Sequence, residues 1–272
     1  MRRITAHSSA DLFDAAASRR IEQAAAAHLP AHALMRRAGL AVARLAAALA
    51  PHARCIWIAC GPGNNGGDGF EAAAQLFLRG FDVHVSFAGE EGRLPADALD
   101  ALQRARLAGV SVSTEPPGQY DLAIDALLGL GAARAPSGVM AHWLARMYHQ
   151  DGAVLSVDLP SGLHADTGAA AFDFGHAAGM RHCLSLLTLK PGLFTAQGRD
   201  AAGQVWFDDL GCAAGGEPAA AHLNAPPLEQ VRAHATHKGS YGDVAVLGGA
   251  PGMAAAALLG ASAAPAAAGG GG

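Results

Sequence analysis

The sequence predicts a three-layer α/β/α sandwich of Rossmann-like type, with a mainly parallel sheet and two additional N-terminal helices. Short apolar runs alternate with helical stretches, a pattern typical of parallel strands that are buried on both faces. Each helical stretch can form the right-handed crossover that joins two parallel strands. A chain of 272 residues that is 51% hydrophobic can also fill the core of such a fold.

The two N-terminal helices are predicted before any strand. Ser9 or Asp11 is placed to cap a first helix that ends near His28. Pro30 permits a second start, and apolar residues then recur at helical spacing over residues 31–50. We therefore expect two helices in front of the sheet.

Five strands and four helices are predicted beyond residue 50. The strands are Cys55–Cys60, Val83–Phe87, Leu122–Asp125, Val154–Asp158 and Leu184–Leu189. The helices cover residues 68–79, 95–108, 139–150 and 170–181. This alternating order is that of an α/β domain, which we assign to residues 1–212.

The C-terminal part differs in composition. Residues 213–236 are rich in Ala, Gly and Pro and are interpreted as a linker. Residues 237–272 contain one plausible strand, 243–247, followed by a short helix. One strand and one helix cannot bury a core of their own, so we interpret this block as a fragment of a second domain.

The net charge and the cysteine content indicate which partners and which compartment to expect. A formal net charge of −4 offers no electrostatic reason to expect nucleic acid or an anionic membrane. The four cysteines form no CxxC pair, as is usual for reduced thiols in a cytosolic protein. The N-terminal arginines precede no apolar signal-peptide core, so we expect a cytoplasmic protein.

A glycine-rich turn in the motif CGPGNNGGDG follows the first predicted strand. Gly61, Gly63 and Gly66 have GxGxxG spacing, which lets backbone approach a phosphate at a helix start. Asn64, Asn65 and Asp68 follow in the same turn and can hold a cation or hydroxyl groups. The alternative is a tight structural turn in which Asp68 caps the helix.

Two further motifs end predicted strands with a carboxylate. Asp125 precedes a glycine turn in DALLGLG, and Asp158 precedes Ser161 in SVDLPSG. Ligands of open α/β sheets bind at the carboxyl ends of strands, where a buried carboxylate suits acid–base chemistry. For Asp125 a cap on the next helix is the alternative. With Asn65, these oxygen donors favour an alkali or alkaline-earth ion over zinc.

Lys190 follows the fifth predicted strand in the motif LTLKPGLFTAQGRD. At this position it either faces the same cleft as the two carboxylates or is an exposed lysine at a strand end. The pattern of the sequence leaves both possibilities open.

Taken in order, GPGNNGGDG, DALLGLG, SVDLPSGLHADTG and LTLKPGLFTAQGRD resemble the motifs of NAD(P)H-hydrate epimerases, over about residues 11–212. The resemblance implies interconversion of the R and S forms of hydrated NADH and NADPH in nicotinamide nucleotide repair. It also implies a potassium ion held by Asn65, Asp125 and Ser161, and a homodimer is common in this family. The substrate-binding residues implied are Asn64, Asn65, Gly66, Gly67, Asp68, Gly129, Leu130, Gly131, Ala132, Ala133, Arg134, Ala135 and Asp158.

The mechanistic hypothesis assigns proton transfer to Asp125 first, with Asp158 positioning the substrate or sharing that role. Acid-assisted loss of hydroxide from the hydrated ring gives an iminium ion, to which water returns on either face. We expect Asp125→Asn to slow epimer exchange at least about 10²-fold while leaving the fold intact.

Two other functions compete with this interpretation. Residues 237–264 resemble only the opening of an ADP- or ATP-dependent, ribokinase-like dehydratase module, so no dehydratase activity is expected. The chain would then be the remnant of a bifunctional protein. The second alternative is a non-catalytic scaffold that binds a nucleotide or a protein, against which the intact Asn65, Asp125, Asp158 and Ser161 argue.

Overall fold

The computed structural model describes residues 1–130, 135–150, 152–175, 179–226, 246, 255 and 258–262. The chain divides into two units, Met1–Pro226 and Pro227–Gly272. The first unit includes residues 213–226, which the sequence assigned to a linker. In the second unit, the described residues 255 and 258–262 are helical. Of the strand predicted over 243–247, residue 246 is described and has no regular secondary structure, and the other four residues lie outside the described ones.

The strands of the first unit are β1 Arg2–Arg3, β2 Ala10–Leu12, β3 Ile56–Cys60, β4 Val83–Phe87, β5 Ser111–Ser113, β6 Leu122–Ala126, β7 Ala153–Val157, β8 Arg181–Leu186, β9 Gln204–Asp208 and β10 Ala221–Leu223. The helices are α1 Ala15–Ala27, α2 Ala33–Leu49, α3 Asn64–Phe77, α4 Ala96–Ala108, α5 Gly138–Tyr148 and α6 Gly198–Ala202. Within the described part of the chain, no helix has the length and apolar character needed to cross a bilayer.

The main sheet has eight strands in the order β1-β9-β8-β7-β6-β3-β4-β5. All neighbours are parallel except β1 and β9, which confirms the predicted mainly parallel sheet. The central strand β3 lies between β4 and β6, so the glycine-rich turn after β3 is next to Asp125 in β6. β10 pairs separately with β2, and this antiparallel pair ties residues 221–223 to the N-terminal segment.

Both faces of the sheet are covered, because successive side chains of a strand point to opposite faces. Ile56 and Ile58 pack in a cluster with α2, α3 and α4. Trp57 and Ala59, on the other face of β3, pack with α5 and α6. This two-sided burial explains the continuous apolar strands and confirms the α/β/α layering.

Two element predictions after β7 are wrong. Residues 170–175 of the predicted helix 170–181 are irregular, and residues 179–180 lead directly into β8. Phe172 and Phe174, two residues apart, both pack on the Tyr148 ring with centroids at 6.2 and 4.9 Å. Contacts at a spacing of two require an extended chain rather than a helix. The strand predicted over residues 184–189 is β8, which begins and ends three residues earlier, at Arg181 and Leu186. Lys190 therefore lies in the loop after this strand.

Two helix starts also differ from the predictions. Asp14, rather than Ser9 or Asp11, caps α1, and its Oδ1 accepts the Ala17 N–H at 2.7 Å. α3 begins at Asn64 with Gly63 as the capping residue, so Asp68 lies inside the helix. The strands β1, β2, β5, β9 and β10 were not predicted. Four of them, β1, β2, β5 and β10, have only two or three residues, which carry little periodic signal.

Candidate active site

A cavity of about 630 Å³ lies at the carboxyl ends of the central strands. Its size falls within the range usual for small-molecule sites. Part of its wall is apolar and comes from α1, α2 and the segment between them, including Leu29, Leu34 and Met35. The rest is polar, with Glu22, Asn64, Asn65, Asp68, Asp158 and Lys190 among its residues.

The glycines of the first motif have two different roles. A Cβ at Gly61 would lie 1.8 Å from the Leu127 carbonyl oxygen, and one at Gly66 would lie 2.0 Å from that of Gly61. These two glycines are therefore required by close backbone packing. A Cβ at Gly63 would meet nothing within 4 Å, and Gly63 lines the cavity. α3 has no side-chain cap, so the N–H groups of its first turn remain available to an anion.

Asp158 lies at the floor of the cavity beside Lys190. Its Oδ1 accepts the Leu186 N–H at 3.1 Å and a short hydrogen bond from the Lys190 ammonium. Its Oδ2 has no hydrogen-bond partner among the described residues, and its side chain is 13% exposed. One oxygen of Asp158 is thus held by the protein while the other is available to a ligand.

Asp68 and Glu22 bring two more carboxyls to the cavity wall. Burial raises the pKa of Asp68 well above its usual range, and the nearby carboxylates Asp158, Glu22 and Glu71 raise it further. Burial also raises the pKa of Glu22, with Asp158 adding to the shift. Lys190 opposes both shifts. The cavity therefore favours a proton on Asp68 while Asp158 is paired with a cation.

Asp125 lies behind the cavity wall and has no exposed surface. Its carboxylate accepts four hydrogen bonds: from Ser161 Oγ at 2.6 Å, Ser161 N at 2.9 Å, Tyr148 OH at 3.0 Å and Leu127 N at 3.3 Å. Burial raises the pKa of Asp125, and the hydrogen bonds from Ser161, Leu127 and Tyr148 oppose that shift. Asp125 has no Lys or Arg partner among the described residues.

The Leu128 backbone links the three residues predicted to hold potassium. Its carbonyl oxygen accepts Asn65 Nδ2 at 3.1 Å and Ser161 Oγ at 3.2 Å, and its N–H donates to Ser161 Oγ at 2.8 Å. Ser161 in turn contacts Asp125. The structure therefore brings Asn65 and Ser161 to one carbonyl and places Asp125 next to them through its hydrogen bonds with Ser161. No group of three His, Cys, Asp or Glu side chains in the described ranges is arranged as a metal site.

The predicted substrate-binding residues divide into three groups. Asn64, Asn65, Asp68, Gly129, Leu130 and Asp158 line the cavity. Three others do not line it. Gly66 is buried against Gly61, and Gly67 is buried against Met35 and Ala98. Ala135 is exposed to solvent. Gly131, Ala132, Ala133 and Arg134 lie outside the described residues.

Several site residues were not found from the sequence. Ser18 of α1 bonds Thr188 Oγ1 at 2.7 Å, which fixes α1 over the cavity and brings Glu22 to its wall. Tyr148, at the end of α5, bonds both Asp125 and Ser156. A polar tip at the end of the apolar run Trp143–Tyr148 was the available signal for Tyr148. Nothing in the sequence distinguishes Glu22 from an ordinary solvated helix residue.

A model of the family described as YjeF-related protein N-terminus matches residues 31–192, a segment that contains the first three motifs, the start of the fourth and most of the residues that line the cavity. The chain belongs to this family. The resemblance noted from the motifs is thereby confirmed.

Curated relatives support the same assignment. The bifunctional NAD(P)H-hydrate repair enzyme Nnr of Escherichia coli K12 is 34% identical over 237 residues, which cover 84% of this chain and 45% of the relative. The NAD(P)H-hydrate epimerase of Bordetella pertussis is 40% identical over 154 residues, covering 55% of this chain and 68% of the relative. The chain thus spans about half the length of the bifunctional relatives that it matches.

A solved structure shares the fold. The crystal structure of the yeast protein ynu0 aligns with a TM-score of 0.60 over 72% of this chain and 86% of that chain, at 20% identity. At this identity the likeness supports the α/β fold alone.

Proposed function

We propose that this chain epimerises the R and S forms of hydrated NADH and NADPH. The observation that carries the proposal is the meeting of an open helix start, at Gly63, with two carboxyls, Asp68 and Asp158, in one cavity of about 630 Å³. The first feature suits the phosphates of a dinucleotide, and the second suits proton transfer. The names of the Escherichia coli and Bordetella relatives point to the same substrate.

The reaction requires one group that gives a proton and one that takes a proton. The hydrated ring carries a hydroxyl on a carbon next to the ring nitrogen. When that hydroxyl is protonated, it leaves as water, and the nitrogen lone pair forms an iminium ion. Water then adds to either face of the iminium carbon and gives a proton back to the protein. No oxidant or reductant is consumed, so the two epimers interconvert.

Asp68 and Asp158 fit these two roles. Burial raises the pKa of Asp68, which favours the protonated form that can donate to the leaving hydroxyl. Asp158 is paired with Lys190 and has its Oδ2 available, which suits a base for the returning water. Two carboxyls in contrasting environments commonly divide the work of acid and base in this way. Asp125, our first choice from the sequence, has no surface in the cavity and takes a supporting role instead.

A potassium ion beside Asp125 is part of the proposal. The groups near Leu128 include oxygens from a hydroxyl, a carbonyl and a carboxylate, the ligand types that alkali ions accept. The Asn65 amide is beside them, with its Nδ2 donating to the Leu128 carbonyl. A buried carboxylate without a cationic partner is costly, and a bound cation would offset that cost. Asn65, Asp125, Ser161 and the Leu128 carbonyl would hold the ion. When bound, potassium would supply positive charge next to the cavity.

A cytoplasmic location and a homodimer belong to the same proposal. They rest on the reduced-thiol composition and on the family resemblance, respectively. Size-exclusion chromatography with light scattering measures the mass in solution, and a monomeric mass would remove the dimer from the proposal.

The decisive experiment follows one purified epimer of hydrated NADH by proton NMR or chromatography. We expect the protein to bring it to the R/S mixture faster than the spontaneous rate, and faster in potassium than in choline. Binding of the epimer without faster exchange would support a nucleotide-binding scaffold and overturn the enzymatic assignment. The same assay with hydrated NADPH measures the preference between the two nucleotides.

A further inference from the structure

The ammonium of Lys190 lies inside the protein, although the residue borders the cavity. The residue is 1% exposed. Its Nζ donates to Asp158 Oδ1, to the Leu186 carbonyl at 2.8 Å and to Ser185 Oγ at 3.4 Å. An ammonium has three N–H donors, and here each has an acceptor. Lys190 therefore has no donor left for a substrate and can act on one only through its neighbours.

The contacts of Lys190 join two loops at the floor of the cavity. Asp158 follows β7, and Leu186 ends β8. Asp158 has a φ of +66° and Leu187 one of +63°, left-handed conformations that side chains other than glycine adopt at a cost. Because one ammonium bonds to both loops, it helps to hold each in this conformation and orients the Asp158 carboxyl.

The choice of lysine at this position is specific. Of the 19 basic Lys and Arg residues in the sequence, two are lysines, Lys190 and Lys238. An arginine presents five donors on a flat, wider group, whereas an ammonium directs three donors tetrahedrally. Three acceptors around a fully enclosed Nζ match the ammonium. In a chain whose Lys and Arg residues are arginine at every position except 190 and 238, this match indicates a requirement at Lys190 for a compact charge.

We propose that Lys190 is a positioning residue for epimerisation: it fixes Asp158 Oδ1 and thereby directs Oδ2, the oxygen assigned to the base, into the cavity. The inference rests on the proposed function. The charged or titratable groups around Asp158 include Glu22 from α1, Asp68 from α3, Cys183 from β8 and Lys190 itself. Arg19 and His32 line the same cavity. Lys190 is the cation in contact with Asp158, so its removal leaves this carboxyl without its ion-pair partner.

The test replaces Lys190 with methionine, which keeps the length of the side chain and removes its charge. We expect kcat for epimer exchange to fall about 10- to 100-fold, the scale of a misplaced acid–base group, while KM changes less than about threefold. Lys238→Arg is the control and keeps the wild-type kcat and KM.

A double-mutant cycle separates positioning from a general structural role. If Lys190 acts through Asp158, then Lys190→Met causes no further loss of kcat in an Asp158→Asn background. Additive losses, or a Lys190→Met variant with wild-type kcat and only a lower Tm, would overturn the proposal.

An NMR measurement tests the contact without relying on activity. Protein labelled with ¹³C,¹⁵N-lysine contains two labelled side chains, and Lys238→Arg leaves the signal of Lys190 alone. We expect that signal to shift in Asp158→Asn and to remain unchanged in Asp82→Asn, an exposed carboxylate before β4 at the opposite sheet edge. An unchanged Lys190 signal in Asp158→Asn refutes the contact. A wild-type protein that fails to exchange epimers but shows the shift refutes the proposed function instead.

Discussion

Asp125 and Asp158 belong to adjacent parallel strands, and both were predicted at strand ends, yet the structure places them in opposite situations. Asp125 is fully buried and accepts four hydrogen bonds, two from Ser161 and one each from Tyr148 and Leu127. Asp158 lines the cavity and keeps one oxygen without a partner among the described residues. An aspartate near the end of β6 is therefore held inside the protein, whereas the aspartate just after β7 is open to a ligand in the cavity.

The difference comes from where each strand ends. β6 continues to Ala126, so Asp125 lies within the strand and points with Ala123 to the face covered by α5. β7 ends at Val157, so Asp158 follows the strand and turns into the cavity with a positive φ. In the sheet register Asp125 is level with Ser156, two residues before Asp158, so the alternation of side chains along a strand does not separate the two carboxyls. Asp158 differs because it lies beyond the strand, where its backbone turns with a positive φ.

Asp158→Asn gives the largest expected effect. We expect kcat for epimer exchange to fall at least about 10²-fold, because the base for the returning water is lost. The substitution also leaves the buried Lys190 ammonium without its counter-ion, which lowers stability. The rate of epimer exchange is therefore measured by NMR or chromatography, at a temperature where circular dichroism shows the variant to be folded.

The control for this prediction is the double variant Asp158→Asn/Lys190→Met. It removes both charges and is expected to recover most of the lost stability without recovering activity. Recovery of near-normal exchange in either variant would contradict the role of Asp158. Asp82→Asn, at the opposite sheet edge, is expected to keep both activity and Tm.

Asp125→Asn tests the other half of the comparison. The buried amide cannot accept all the hydrogen bonds that the carboxylate accepts, so we expect the free energy of unfolding to fall by about 1–3 kcal/mol. The structure thus replaces our expectation from the sequence, in which this variant kept its stability and lost activity. Urea unfolding measures the change. A variant as stable as the wild type, with exchange slowed more than in Asp158→Asn, would reverse the two roles.

We expect potassium to stabilise the protein by binding next to Asp125. If the ion binds the native state alone, stability rises by about 1.4 kcal/mol at ten times its Kd. We expect a higher Tm in potassium chloride than in choline chloride at equal ionic strength. Asp125→Asn and Ser161→Ala should lose this difference. Equal Tm values in both salts for the wild-type protein would argue against the ion.

The smallest expected effect concerns pH and Asp68. Burial raises the pKa of Asp68 in the folded chain, so the native state binds this proton more tightly than the unfolded state does. Its contribution to stability is therefore fully present at low pH and is lost as pH rises from about 3.8, the unfolded value, through the raised folded value. We expect Asp68→Asn to be more stable than the wild type near neutral pH and this gain to shrink toward pH 4. Urea unfolding across this pH range measures it, and a gain that is independent of pH would contradict the assignment.

Much of the fold could be predicted because its signals are local. The apolar runs at β3, β4, β6 and β7 and the helical spacing of α2 and α4 each depend on a few neighbouring residues. The region between β7 and β8 was predicted wrongly, since Phe172 and Phe174 take their extended arrangement from a ring, Tyr148, that is distant in sequence.

The residues of the candidate site could be predicted from the sequence, but which of them line the cavity and which are buried behind it could not. Asn65, Asp125 and Ser161 were expected to meet, and the structure places them around the Leu128 backbone. For Lys190, whose two alternatives the sequence left open, the structure places the ammonium inside the protein against Asp158.

The sequence by itself determined the central strands β3, β4, β6 and β7, the helices α1 to α5, the four motifs and the family, because these depend on short stretches of residues. The tertiary structure alone decided which carboxyl enters the cavity, which is buried with a tyrosine and a serine, and which cation accompanies Asp158. The reason is physical: burial, charge pairing and the face of a strand depend on segments that meet only after folding.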